Sequence, residues 1–107
     1  MAQVMFYRYT DDVEAALIRQ NHRIEPSPNQ TCKWYTPDRY DTGAEAQRFL
    51  AMSYTPTYRV GPMPSDELPD FDHTTLTVEG AAYGQPGGGL EAGTTKTMYL
   101  IDITAIP

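Results

Sequence analysis

Apolar and polar positions fall into short alternating runs cut by proline and glycine, with two stretches at helical spacing in the first half. Val4-Met5-Phe6-Tyr7-Arg8-Tyr9 is aromatic and extended in character and predicts a first strand. Thr10-Asp11-Asp12 supplies capping residues; with Asp11 as cap, Glu14 falls three positions later, a variant of the capping box. Val13, Ala16, Leu17 and Gln20 trace one face, so a short helix is expected over about 11–20. Ile24 to Asn29, with Pro26 and Pro28, ends it in a turn. Cys32-Lys33-Trp34-Tyr35-Thr36 predicts a second strand, stopped by Pro37.

Thr42-Gly43-Ala44-Glu45 is a cleaner capping box. Ala46, Phe49 and Leu50 then share a face, which predicts a second helix over about 43–52. Thr57 to Val60 is a candidate strand bounded by Pro56 and Gly61-Pro62, and the proline-rich stretch 61–73 predicts a loop. Thr74 to Val78 is expected to be extended. Thr97 to Ile103 closes the chain as a strand, with Tyr99, Ile101 and Ile103 on one face and Met98 and Leu100 on the other. Two short helices among many strands predict one α+β domain over residues 1–107, with a bent, mostly antiparallel sheet.

Composition narrows the function classes. No apolar run approaches the roughly 18 residues of a membrane span, so no membrane role is expected. Met1-Ala2-Gln3-Val4 lacks a basic segment followed by an apolar core, and no signal peptide is expected in this chain. Cys32 is the one cysteine, which excludes an internal disulfide and a cysteine-based metal cluster; no metal site is expected. A net charge of −6 argues against general phosphate-backbone binding and suits a basic partner or a small molecule held by local basic groups.

The most unusual stretch is Gly84-Gln85-Pro86-Gly87-Gly88-Gly89-Leu90-Glu91, a carboxylate on what predicts a glycine-rich loop. Glycine costs backbone entropy, and three in a row imply a close backbone approach. The run Gly87 to Ala92 formally matches G-x-G-x-x-A, but no capped helix follows it, and no G-x-x-x-x-G-K-[ST] exists. His22 and His73 sit in polar contexts without a serine elbow and are expected to be solvated. Cys32 is expected to be a half-buried strand residue, and the pairs Asp38/Asp41 and Asp70/Asp72 to be turn-forming acids. Arg8 inside an aromatic strand, Tyr35-Thr36 at the end of the next strand, and Glu91 remain as candidate chemistry. A guanidinium grips phosphate through paired donors, an aromatic ring supports a flat ligand, and a fixed carboxylate stabilises cationic charge.

Tyr7-Arg8-Tyr9-Thr10, then Trp34-Tyr35-Thr36-Pro37, then a late Gly-x-Glu resembles the three-part signature of the ADP-ribosyltransferase superfamily. More narrowly, the chain from residue 4 to about 103 resembles small ADP-ribosyltransferase toxin domains at the C-termini of Rhs-type polymorphic bacterial effectors. The resemblance implies an ADP-ribosyltransferase-like fold and NAD as substrate. Arg8 would hold the dinucleotide, with Tyr9 beside it. Tyr35 and Thr36 would lie by the nicotinamide, Gly89 would bring the loop close to the sugar, and Glu91 would bond the ribose and stabilise its developing cation.

The same resemblance implies an injected or secreted effector, in the manner of type VI secretion effectors, acting in the cytoplasm of a competitor cell. Its acceptor would be a protein or RNA, with the translation machinery a candidate, and a cognate immunity protein would plug the cleft; the domain by itself is expected to be monomeric. Arginine-modifying members carry Gln or Glu two residues before the catalytic Glu, where this chain has Gly89, so arginine is not supported as the acceptor. Many small relatives carry His where this chain has Arg8. Two alternatives stand beside this reading: an NAD glycohydrolase using water, and a non-catalytic module whose tyrosines form a recognition surface.

Overall fold

A computed structural model describes residues 5–28, 30–64, 76–95, 97–99 and 102–107. The chain is α+β: β1 (Met5–Thr10), α1 (Asp12–Asn21), β2 (Arg23–Ile24), β3 (Lys33–Tyr35), α2 (Gly43–Phe49), β4 (Tyr58–Pro64), β5 (Thr77–Val78), β6 (Leu90–Thr94), β7 (Met98–Tyr99) and β8 (Ile103–Ala105). All strand pairings among the described residues are antiparallel. The strands form three small sheets, ordered β1-β4-β8, β2-β7 and β3-β6-β5.

The sheet containing β1 meets the sheet containing β3 at one point. Tyr7 and Thr36 exchange backbone hydrogen bonds of 2.8 and 2.9 Å, and the two ladders diverge from there. A register shift between Phe6 and Arg8 on the β1–β4 pair increases that divergence, as bulges bend a strand. Gly61 lies opposite the shift at φ 116°, where an added Cβ would come within 2.6 Å of the Phe6 carbonyl oxygen. Glycine is what allows the two strands to approach there.

β1 serves two cores because both its faces are covered. Phe6 joins Ile18, Ile24, Tyr35, Val60, Met63 and Met98, while Tyr9 joins Ala46, Leu50 and Ile106. Burying an aromatic or branched side chain of this size stabilises the fold by about 1.5–3 kcal/mol.

Both helices are capped as their sequences predict: Asp11 accepts from the Glu14 N–H at 2.9 Å, and Thr42 from the Glu45 N–H at 3.2 Å. The face expected for α1 is not the buried one. Ala15 and Ile18 are buried, whereas Val13 and Leu17 are 73% and 52% exposed. The Glu14 side chain turns to Arg8 and fixes the helix's rotation, so that pairing overrides the apolar stripe. α2 ends at Phe49, short of the expected 52, with Leu50 as its C-cap.

Four strand expectations also change. β4 runs on through Gly61-Pro62 to Pro64, and Glu91 lies inside strand β6 instead of on a loop. Ile24, read as the start of a turn, pairs as a strand and forms β2 with Arg23. The expected closing strand is two strands in two sheets, β7 on β2 and β8 on β4. Val4, His73, the pair Asp70/Asp72, and positions 65–75, 100 and 101 lie outside the described residues. Among the described residues no helix is long and apolar enough to cross a membrane.

Candidate active site

A cleft of about 290 Å³ opens where β1 and β3 part. Arg8, Tyr9, Thr36 and Glu91 line it, together with Trp34, Tyr54 and Tyr83. Strand alternation explains the members from β3 and β6. Trp34 pairs with Gly93 and Tyr35 with Ala92, so Trp34, Thr36, Glu91 and Gly93 share the cleft face while Tyr35 and Ala92 point the other way. Gly93 leaves space first for the Cys32 sulfur, which an added Cβ would overlap, and then for the indole, two of whose ring carbons would lie 3.2 Å from it.

Arg8 is held in place before any ligand arrives. Its Nε and Nη2 donate to the two oxygens of Glu14 at 2.5 and 2.8 Å, and Nη1 donates to the Trp34 carbonyl at 3.1 Å. Nη2 also reaches Gln30 Oε1 at 3.4 Å. Among the described residues these bonds leave one of the five guanidinium N–H groups for a ligand. Lys33 extends the network to Gln30 Oε1 at 2.8 Å and Glu14 at 3.9 Å. Burial acts to raise the Glu14 carboxyl, but the bonds and charge of Arg8 win and hold it below the usual carboxylate range. Arg8 shows the reciprocal effect: burial lowers it, and Glu14 raises it further.

Glu91 is the opposite electrostatic case. Its carboxyl is pushed up to about 8, first by burial, then by the hydrogen bond that its protonated form donates to Glu79 and by the negative charge of Glu79, with Arg8 opposing. The pairing follows from register. Thr77 faces Glu91, Val78 faces Leu90, and the Glu79 N–H donates to the Gly89 carbonyl at 2.7 Å, so Glu79 and Glu91 are diagonal neighbours on one face. Asp38 fixes the start of the same strand, accepting from the Leu90 N–H at 2.9 Å and the Tyr40 hydroxyl at 3.3 Å.

The rim is aromatic. Tyr54 follows α2 on one lip, after Ala51 turns the chain at φ 49°. Tyr83 stands on the other, 73% exposed, in a tight turn whose Ala82 and Gln85 exchange backbone bonds of 3.1 and 2.8 Å. Tyr83 and Gly84 occupy its two positive-φ positions at 54° and 77°.

Two of the six residues expected in the site lie elsewhere. Tyr35 is 1% exposed and packs in the Phe6 core, because alternation turns it away from Thr36; Trp34 holds the cleft-side position expected of it. Gly89 does not line the cleft. It is buried where a Cβ would meet the Tyr40 hydroxyl at 2.6 Å and the Phe49 carbonyl at 3.0 Å. At Gly87 a Cβ would overlap the Glu79 carbonyl oxygen, and Gly87 N–H donates to the Arg48 carbonyl at 3.0 Å. The glycines thus bring backbone against this protein's own backbone, buttressing residues 79 and 91, instead of approaching a sugar.

Tyr9 and Thr36 reach the cleft with their hydroxyls already engaged. Tyr9 Oη accepts from the Tyr40 N–H at 2.5 Å and donates to the Asp38 carbonyl at 3.1 Å, and burial pushes its phenol up to about 12. Thr36 Oγ1 accepts from the Asp38 N–H at 3.0 Å.

Sequence reasoning missed Glu14, Trp34, Tyr54, Tyr83 and Glu79. An acid in the first turn of the helix after an arginine-bearing strand is a signal for Glu14; Glu79 has none before the β5–β6 register is known. A larger groove of about 460 Å³ lies between α1 and residues 23–28, with Val13, Leu17 and Ile24 on its walls, and holds neither Arg8 nor Glu91. Cys32 is free and half-buried. Among the described residues no group of three His, Cys, Asp or Glu could hold a metal ion. No family model, curated protein or solved structure matches the chain.

Proposed function

We propose that the chain is an NAD-dependent mono-ADP-ribosyltransferase domain with an ADP-ribosyltransferase-like fold. The observation that carries this reading is the meeting of Arg8, from the first strand, and Glu91, from the sixth, in one cleft with an aromatic rim. A preorganised cation for phosphate or ribose oxygens and a carboxylate for developing positive charge are what glycosidic cleavage of NAD requires.

In this reaction the bond between ribose C1′ and the nicotinamide nitrogen breaks, and its electron pair leaves with the ring. The pyridinium becomes neutral nicotinamide while the sugar becomes oxocarbenium-like. Ionised Glu91 stabilises that charge, and Trp34 takes the stacking role expected of Tyr35. The acceptor's lone pair then closes on C1′, and its proton passes through the carboxylate to solvent. Nothing is oxidised or reduced.

The resemblance to Rhs-type toxin domains extends the proposal. The domain acts in a competitor cell's cytoplasm after delivery, modifies a protein or RNA, and is neutralised by an immunity protein. Water as acceptor is the second reading, supported by Gly89 where arginine-modifying members carry Gln or Glu. Incubation with NAD alone separates the two: rapid free ADP-ribose supports hydrolysis, while label on cellular protein or RNA supports transfer. A Glu91→Gln variant keeps size and polarity, and it should lose nicotinamide release by at least about 100-fold. Full activity in that variant, or no nicotinamide release and no NAD binding by the wild type, defeats the reading.

A further inference from the structure

Glu79 is not among the residues lining the cleft, yet it lies diagonal to Glu91, which does line it, and raises the Glu91 carboxyl. Its main chain is unusually well fixed. The Glu79 N–H donates to Gly89 O at 2.7 Å, its carbonyl accepts from the Gly88 N–H at 2.9 Å, and Gly87 packs against that carbonyl without room for a Cβ. The glycine run therefore has a purpose in this fold: it presses the end of β5 against β6, which sets Glu79 diagonal to Glu91 on one face.

Two neighbouring carboxyl groups do not both ionise readily, so the charge of Glu79 favours the protonated form of Glu91. Among the described residues the other groups facing Glu91 are few. Arg8 approaches from β1 with its charge already matched by Glu14 from α1. Tyr40 approaches from the segment before α2, its phenol raised first by burial, then by Asp38, and in smaller part by Glu91. Asp38 is engaged by Tyr40 and by the Leu90 N–H. None of these supplies an alternative proton partner for Glu91.

We propose that Glu79, diagonal to Glu91 across the β5–β6 ladder, is a positioning residue for this cleft: it keeps the proton on Glu91, so that the carboxylate facing the sugar is uncovered only when that proton leaves. The proposal rests on the NAD-cleaving reading of the cleft. The empty cleft then carries little standing negative charge at its floor. Entry of a cationic pyridinium favours loss of the Glu91 proton to solvent and exposes the charge on Glu91 where the sugar needs it. The sequence position that supplies a second polar side chain in arginine-modifying enzymes is glycine in this chain, and the second carboxylate comes from the neighbouring strand instead.

The test is Glu79→Gln, which keeps the hydrogen bond and removes the second charge. Nicotinamide release from NAD is followed from pH 5 to 9, and the Glu91 carboxyl of the free full chain is titrated by carbon-13 NMR. In the wild type, kcat/KM should rise with pH to a plateau near the Glu91 midpoint. In Glu79→Gln both the rising limb and the carbon-13 midpoint should move acidward by at least one pH unit, making the variant about tenfold more active at pH 6 and equal at pH 9. Unmoved limb and midpoint overturn the proposal, as does loss of activity at every pH in a variant whose melting temperature and Glu91 midpoint match the wild type. If the carbon-13 midpoint moves but the wild type releases no nicotinamide, the hold of Glu79 on the Glu91 proton stands and the NAD reading falls.

Discussion

Arg8 and Glu14 form a two-pronged ion pair that ties β1 to the first turn of α1, with side chains 7% and 22% exposed. The pair does two things at once: it sets the rotation of the helix and it points a fixed guanidinium at the cleft. Isolating either charge by removing its partner is costly, because burial has already stripped most of its water.

Glu14→Gln should therefore destabilise the fold by about 2–3 kcal/mol at pH 7, with Arg8 left uncompensated. The carboxyl lies below its ordinary value in the folded state. Its contribution is present above the unfolded value and is lost as pH falls through the folded one. Denaturant midpoints of wild type and variant should converge below about pH 4. A constant gap down to pH 2 would assign the effect to packing.

Trp34 and Tyr35 should separate function from stability. Trp34 is 46% exposed on the cleft side, so Trp34→Ala should weaken NAD binding at least about tenfold by calorimetry, with a loss of stability under about 1 kcal/mol. The Tyr35 hydroxyl is buried without a partner among the described residues. Tyr35→Phe removes an unpaired polar group and should be neutral or stabilising by up to about 1 kcal/mol, with binding unchanged. The reverse pattern would place Tyr35 in the site.

The glycine run offers a graded series. Gly84 has φ 77° with open space around it, whereas Gly87 has φ 74° and no space toward Glu79. Gly84→Ala should cost about 1 kcal/mol, the left-handed penalty by itself. Gly87→Ala should cost at least about twice that by thermal melts, because backbone must move as well. Equal costs would show that the 79–91 contact is not buttressed there.

Glu91→Gln should stabilise the protein while abolishing activity. The carboxyl is raised in the folded state to about 8, so the folded protein binds its proton more tightly than the unfolded chain. Stability is highest below the unfolded value near pH 4.3 and declines as pH rises through the folded value. The variant escapes that decline. Its melting temperature should equal the wild type's at pH 4 and exceed it at pH 8, by about 1–2 kcal/mol after allowing for solvent at this partly exposed group. A uniform gain at all pH values would point to packing instead.

The α+β class, both helix caps and the cores of several strands were legible in the sequence, because capping residues and alternation are local signals. The rotation of α1 was not, since an ion pair between two elements outweighed the stripe formed by Val13 and Leu17. The assignment of Tyr35 failed by a single residue: alternation was visible, but which face would be the cleft depended on how β3 met β1. The pair of Glu79 with Glu91 required a register between two strands separated by a turn, and no local pattern encodes it. The glycines were visible and misread, because close approach says nothing about what is approached.

The two walls of the cleft are pinned together by main-chain atoms, where residues 7 and 36 trade amide and carbonyl. The spacing of the two walls at that point is therefore set by backbone, while the side chains of Tyr7 and Thr36 line the cleft between them. Proline at either position deletes an amide donor. A second pair of main-chain bonds, from the Gly87 and Gly89 N–H groups to the Arg48 and Phe49 carbonyls, ties the segments that carry Tyr83 and Tyr54, so the backbone also sets the span of the rim.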